Sequence, residues 1–205
     1  MKSLRIVFIG VGGQGNLLAS RLVGEAALSA GIPAVVSEIH GMAQRGGIVE
    51  SAVMLGDIAS PIVSRAEADV LIGFEPLETL RAIGKCRPDS VVITNTRPLP
   101  PFTVSVGQGH YPAVEEILAI LRGKTGRLIA LDASGIAEKA GNPLSLNMVM
   151  LGALIGSGTT PLEPATIREV ISNSTKKAFL ESNLAAFNAG MAGVRGEQQA
   201  GQHRR

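Results

Sequence analysis

The stretch Leu4–Asn16, which reads LRIVFIGVGGQGN, decides the fold of this 205-residue chain. Its first part is a largely apolar run, its second part is rich in glycine, and a helical pattern opens directly after it at Leu17. Continuous rather than alternating apolar residues are typical of a strand that is buried on both faces of a parallel sheet. Glycines allow the backbone to turn tightly and to approach a ligand closely. The stretch therefore predicts a buried strand, a tight turn and a helix.

The glycine turn has the spacing G-x-G-x-x-G in the strand–turn–helix context that this motif requires. The first N–H groups of the following helix have no partner within the helix and carry partial positive charge, which suits a phosphate or a carboxylate. We therefore predict a cofactor-binding turn made of Gly10, Gly12, Gly13, Gln14 and Gly15. The alternative is a glycine turn that serves only packing.

Strand patterns recur along the chain, with helical patterns between most of them. They cover Ala34–Glu38, Ile48–Leu55, Asp69–Phe74, Ser90–Thr94 and Arg127–Asp132. The loop between the second and third strands is too short for a helical crossover, which needs a dozen residues or more. These two strands are therefore either antiparallel neighbours or parts of different regions of the sheet.

The C-terminal part of the chain has helical patterns only. Leu146–Ile155 is apolar all round, which predicts a helix inside the domain, and two amphipathic helices follow it. The whole pattern predicts an α/β fold with a three-layer, Rossmann-like, doubly wound sheet, mostly parallel with some antiparallel strands, and C-terminal helices. We expect one domain over residues 1–192 and a disordered tail over residues 193–205, because no apolar stripe continues beyond Gly193.

Composition excludes several classes of function. The 19 basic residues nearly balance the 17 acidic ones, and aromatic content is 3%, so neither a duplex-binding face nor a base-stacking surface for nucleic acid is expected. The single cysteine, Cys86, cannot form an internal disulfide, and this chain alone cannot build a cysteine-ligated zinc or iron–sulfur site. No apolar run approaches the roughly 20 residues that span a bilayer. We expect a soluble, cytoplasmic protein that binds neither nucleic acid nor membrane.

The segment Ser37–Gly47, SEIHGMAQRGG, is the second unusual stretch. It places a carboxylate, an imidazole, an amide and a guanidinium beside the C-terminal end of the sheet, where ligands of such folds bind. We predict a contact surface for a partner subunit or a ligand, although a solvated polar turn is the structural alternative. The residues concerned are Glu38, His40, Met42, Gln44 and Arg45.

The sequence contains no complete set of catalytic or metal-binding residues, so we assign none. A stand-alone NAD(P)-binding oxidoreductase remains an alternative, because Glu38 follows Gly10 at a distance that suits a ribose-binding carboxylate. The missing second crossover helix and the lack of hydride-transfer groups count against it. A nucleotide-binding regulator is a third possibility. A phosphate-binding turn without further chemistry is typical of a subunit of a larger enzyme.

Four stretches resemble the gamma-type domain of the 2-oxoacid:ferredoxin oxidoreductases. The similarity extends from Ile6 to about Met191, and HGMAQRGG is its most specific part. The stretches are Gly10–Gly15, Ser37–Gly47, Ala68–Arg81 and Asn147–Gly152.

The resemblance implies a subunit of an enzyme that oxidatively decarboxylates a 2-oxoacid, here an aryl-pyruvate such as indolepyruvate. The enzyme transfers the acyl group to coenzyme A and passes electrons to ferredoxin. In this family a large alpha subunit holds thiamine diphosphate and the 4Fe-4S clusters, and ferredoxin is reached through that subunit. The resemblance also implies that the glycine turn lies near coenzyme A at the subunit interface. The small subunit is not expected to be active alone.

Overall fold

A computed structural model describes residues 3–40, 47–57, 60–100, 104, 107 and 109–202 of the chain. Within them, six strands form one sheet. The strands are β1 (Leu4–Val11), β2 (Ala34–His40), β3 (Ile48–Leu55), β4 (Ala68–Gly73), β5 (Cys86–Asn95) and β6 (Arg127–Leu131). The helices are α1 (Asn16–Ser29), α2 (Pro76–Ala82), α3 (Val114–Lys124), α4 (Ala133–Lys139), α5 (Leu146–Gly156), α6 (Pro164–Ser174) and α7 (Lys177–Gln202), with short 3-10 turns at Ile83–Lys85 and Pro143–Ser145.

The strand order is β2-β3-β1-β4-β5-β6. β1, β4, β5 and β6 are parallel neighbours, whereas β3 is antiparallel to both β1 and β2. This confirms the predicted α/β fold with a mostly parallel sheet, and it confirms that the second and third strands are antiparallel neighbours. Because β3 alone among the described strands runs in the opposite direction, the carboxyl ends of the other five lie along one edge of the sheet.

Helices cover the two faces of the sheet unequally. One face carries α1, α5, α6 and α7, which form a large core with alternate residues of the strands. On the other face, α2 contacts β1, β4 and β5, and α3 contacts α2, β5 and β6. The helices of the second layer therefore end beside β1. Beyond them, Ala52 and Met54 of β3 are still buried, in a cluster with Val63. The partly exposed apolar side chains on this face are Val35, Ile39 and Ile48.

Helix α5 lies inside the domain, as its all-apolar sequence predicts, and every residue from Leu146 to Ile155 is buried. Glycines allow it to approach α7 closely. A Cβ atom added at Gly152 would lie 2.0 Å from the carbonyl oxygen of Phe187, and one at Gly190 would lie 2.1 Å from that of Val149. The two helix backbones are therefore in direct contact.

The prediction of disorder from residue 193 onward is wrong as far as Gln202, because α7 continues to that residue. Val194 is fully buried, and the following residues include good helix formers such as Glu197, Gln198 and Ala200. Once the packed part of a helix has formed, extending it requires only that each added residue tolerate helical geometry. No helix in the described ranges is long and apolar enough to cross a membrane.

Candidate functional site

The glycine turn between β1 and α1 is held in shape by the side chain of Gln14. Its Oε1 accepts a hydrogen bond from the backbone N–H of Val11 at 2.8 Å, and its Nε2 donates to the carbonyl of Phe74 at 3.1 Å. The side chain lies against Gly10, where an added Cβ would be 2.8 Å from Gln14 Oε1. The Gln14 amide, which the sequence places in the cofactor-binding turn, is therefore engaged in joining the ends of β1 and β4.

The backbone N–H groups at the start of α1 have no capping side chain. Gly15 is the N-terminal cap in the left-handed conformation, with φ of 77°, and no side chain caps this helix. Gly13 is exposed and also has a positive φ, of 101°. Such φ values suit glycine because it lacks a Cβ. The first N–H groups of the helix are therefore available to an acceptor from outside the helix.

The turn also contacts the second predicted stretch. The Gly12 N–H donates to the carbonyl of Gly47 at 2.9 Å, and Asn16 Nδ2 donates to the carbonyl of Val49 at 2.8 Å. Through strand pairing, Gly10 is aligned with Val49, and Val49 with His40. The glycine turn and the end of β2 thus lie along the same carboxyl edge of the sheet.

Only part of the predicted contact surface falls within the described residues. Glu38 is exposed on β2, the outermost strand, and His40 is the last residue of that strand. Met42, Gln44 and Arg45 lie outside the described residues.

The position of β3 argues against the NAD(P) alternative. Glu38 is aligned with Ser51 of β3, and Ser51 with Phe8 of β1. A ribose-binding carboxylate ordinarily stands at the end of the strand next to β1. Here Glu38 is two strand spacings from β1, or about 10 Å, because β3 is inserted between them.

A buried polar network lies along the same edge and was not foreseen from the sequence. Glu75 caps α2 through a 2.9 Å hydrogen bond from the Glu78 N–H, and its carboxylate also accepts from the Tyr111 hydroxyl and from the Leu99 N–H. Glu75 is 1% exposed. Burial, together with the hydrogen bond to Glu75, raises the pKa of Tyr111 well above its usual value.

Asn95, at the end of β5, extends this network. Its Nδ2 donates to the Phe74 carbonyl and to Ser134 Oγ, both at 3.1 Å, while its Oδ1 accepts from the Ala133 N–H. The Phe74 carbonyl therefore receives hydrogen bonds from both Gln14 and Asn95. Glu75 followed by Pro76 signals a helix start in the sequence, but hydrogen-bond partners 21 to 39 positions away leave no local pattern.

An open cavity of about 260 Å³ lies next to the glycine turn. Asn147 in its lining is 6% exposed, and its Nδ2 lies 2.7 Å from the position that a Cβ on Gly15 would occupy. The Asn147 Oδ1 accepts from the Met148 N–H, whereas its Nδ2 has no partner among the described residues. Lys176 contributes a cation to the same lining. The cavity thus offers hydrogen-bond donors to an anionic or carbonyl-bearing ligand.

Within the described ranges, no three His, Cys, Asp or Glu side chains are placed to hold a metal ion. Cys86 is half-buried, and burial raises the pKa of its thiol to about 11 although Arg87 opposes the shift. The thiol is therefore protonated at neutral pH.

Comparison with known proteins identifies the family. The family model for pyruvate ferredoxin/flavodoxin oxidoreductase matches residues 5–193. The chain belongs to this family. The indolepyruvate oxidoreductase subunit IorB of Archaeoglobus fulgidus is 42% identical to it over 187 residues, which are 91% of this chain and 93% of that protein.

Solved structures of the oxidoreductase family share the fold. The gamma subunit of the keto/oxoacid ferredoxin oxidoreductase from Geobacter sulfurreducens has a TM-score of 0.70 at 22% identity, covering 94% of this chain and 99% of that one. The 2-oxoglutarate:ferredoxin oxidoreductase from Magnetococcus marinus has a TM-score of 0.72 at 22% identity, covering 96% of this chain but 32% of that one. The same fold therefore forms a whole subunit in one protein and about a third of a longer chain in the other.

Proposed function

We propose that this chain is the small subunit of an indolepyruvate:ferredoxin oxidoreductase, which oxidatively decarboxylates indolepyruvate or a related aryl-pyruvate to an acyl-CoA and passes the electrons to ferredoxin. The observation that carries the proposal is the 42% identity to a protein named as an indolepyruvate oxidoreductase subunit, over nearly the full length of both chains. The family match over residues 5–193 supports a single oxidoreductase domain over residues 1–192.

The redox cofactors are proposed to reside on a large alpha subunit. A 4Fe-4S cluster needs four cysteine thiolates, and this sequence has one cysteine. Thiamine diphosphate and the clusters would then be held by the partner, and ferredoxin would dock on the partner too. The role left for this chain is to shape the reaction centre and to position the acyl acceptor.

Coenzyme A is the ligand that we propose for the glycine turn. Its phosphates would accept hydrogen bonds from the backbone N–H groups at Gly13, Gly15 and the first turn of α1, which carry the positive end of the helix dipole. The turn fits such a group, because no side chain caps the helix and the Asn147 Nδ2 donor lies beside Gly15. Gln14 would support binding indirectly by fixing the shape of the turn.

The end of β2 and the stretch that joins it to β3 are proposed to contact the alpha subunit near the active centre, through Glu38, His40, Met42, Gln44 and Arg45. Two observations support this. Gly47, at its end, is hydrogen-bonded to the glycine turn, and Glu38 is exposed on the outermost strand. Among these residues Arg45 is the best candidate for binding an anionic group.

Co-expression with the large subunit from the same organism tests the proposal. The purified complex should reduce methyl viologen only when both indolepyruvate and coenzyme A are supplied, and this chain alone should show no activity. The proposal fails if this chain never forms a complex, or if the large subunit alone is equally active. Saturable, micromolar binding of NADH to the isolated chain, seen as enhanced NADH fluorescence, would instead support the dinucleotide-binding alternative.

A further inference from the structure

Among the described residues, the second helical layer leaves part of one face of the sheet uncovered. Val35 and Ile39 of β2 share this face with Ile48 of β3, as the strand register requires. These three side chains are 40%, 55% and 42% exposed. We call them the bare face. The opposite face of the same strands is covered by α1. Clustered apolar side chains on one sheet face are a common mark of a protein interface.

A cavity of about 350 Å³ lies between the bare face and α2. Its lining includes the apolar side chains of Ile9 and Ile48. It also carries charged side chains from β3, from the connection before β4, from α2 and from the 3-10 turn that follows α2. The lining includes Glu50, Arg65, Glu78, Arg81 and Lys85. The cavity thus continues the bare face toward the middle of the sheet and adds polar groups to it.

Glu78 has an unsatisfied oxygen in the wall of this cavity. Its Oε1 pairs with Arg81 at 2.7 Å, but its Oε2 is buried and has no hydrogen-bond partner among the residues that the structure describes. The Glu78 side chain is 6% exposed, and burial raises the pKa of its carboxyl, with Glu75 contributing and Arg81 opposing. Buried carboxylate oxygens nearly always have a donor in a complete structure. A donor from outside the described residues, which a bound partner could supply, would satisfy the Oε2.

Two other cations line the cavity, and they differ in whether they have a partner among the described residues. Lys85 is paired with Glu50 at 2.8 Å. Arg65 is exposed and makes no hydrogen bond or ion pair with any described residue. Within the part of the chain that the structure describes, the cavity lining therefore includes one carboxylate oxygen that lacks a donor and one cation that lacks an anion.

From these observations we propose that the bare face and the adjoining cavity form the docking surface for the large partner subunit. The matching surface would be apolar at its centre, would bring a hydrogen-bond donor to Glu78 and would bring a carboxylate to Arg65. The inference rests on the proposed function. The Magnetococcus structure supports this occupant, because there the same fold is about a third of one chain and so is physically joined to other parts of an oxidoreductase.

Binding of the tagged chain to the isolated large subunit tests the proposal, with the dissociation constant measured by biolayer interferometry. Ile48→Asp and Ile39→Asp should each weaken binding on the order of 100-fold, because a carboxylate would be desolvated at the centre of the interface. Leu28→Asp is the matched control. Leu28 is 63% exposed on α1, on the other side of the sheet, and its replacement should leave binding unchanged. Circular dichroism should show the same folded state for all three variants.

Glu78→Gln tests the polar part of the docking surface. It should weaken binding about tenfold, because a charge-assisted hydrogen bond becomes a neutral one. Glu116→Gln, at an exposed position on α3, is the control and should have no effect.

The possible failures can be told apart. If the unmodified chain does not bind the large subunit, the proposed function fails. If it binds and both isoleucine variants bind equally well, only the docking surface is refuted. A free chain that is dimeric by sedimentation, and that both variants convert to a monomer without loss of partner binding, would assign the bare face to a second copy of this chain and overturn the inference.

Discussion

Replacing Gln14 with alanine should lower the free energy of unfolding by about 2–4 kcal/mol. The side chain makes two hydrogen bonds, one from the Val11 N–H at 2.8 Å and one to the Phe74 carbonyl at 3.1 Å. Each contributes about 1 kcal/mol net, and leaving the Val11 N–H unpaired in a half-buried turn adds roughly another 1 kcal/mol. Loss of the contact with Gly10 accounts for the upper end of the range.

Urea unfolding followed by circular dichroism measures this loss of stability. The variant Gln14→Met separates the contribution of the two hydrogen bonds from that of packing. Methionine keeps the length and much of the packing of glutamine but can make neither hydrogen bond, and it leaves the Val11 N–H unpaired, so it should lose about 3 kcal/mol. If the methionine variant is as stable as the unmodified chain, Gln14 does not hold the turn through hydrogen bonds, and the structural role given to it is refuted.

Three further predictions concern the core and two titratable groups. Gly152→Ala should lower the free energy of unfolding, measured by thermal unfolding, by about 3 kcal/mol or more, because the new Cβ would meet a carbonyl oxygen at 2.0 Å. Gly123→Ala is the control: this position faces open space on α3, so the change should be neutral or stabilising. Tyr111 is the only Tyr and the chain has no Trp, so absorbance at 295 nm reports the ionisation of Tyr111 alone. In the folded chain the hydroxyl should ionise well above the usual pH of about 10, and in urea it should ionise near that pH. Coincident titrations would contradict the contact with Glu75. Burial raises the pKa of the Cys86 thiol to about 11. At pH 8 this thiol should therefore react with iodoacetamide on the order of 100-fold more slowly in the folded chain than in urea. Equal rates would contradict the prediction.

Local sequence patterns were sufficient for the elements around the glycine turn. The apolar run of β1, the glycines and the periodicity of α1 are all encoded within about 26 residues, so the strand–turn–helix unit was predictable. The short connection between β2 and β3 also restricted their pairing, because so few residues cannot hold a crossover helix.

Long-range pairing was not predictable in the same way. Nothing in the composition of β3 indicates that it inserts between β1 and β2, because that position depends on the register with strands far away in the chain. The same holds for Gln14. Its spacing suggests a ligand contact, but the Phe74 carbonyl that it binds is 60 residues away. The end of α7 was missed because a polar helix that extends from a packed one has no apolar stripe of its own.

The central claim is that this chain completes a reaction centre whose redox groups belong to another subunit. The most direct measurement titrates the purified chain into a fixed amount of the isolated large subunit and follows the rate of methyl viologen reduction with indolepyruvate and coenzyme A. The account predicts a rate that rises from near zero and reaches a plateau at a fixed ratio of the two chains. A rate that is already maximal without this chain, or that never rises on adding it, would contradict the account.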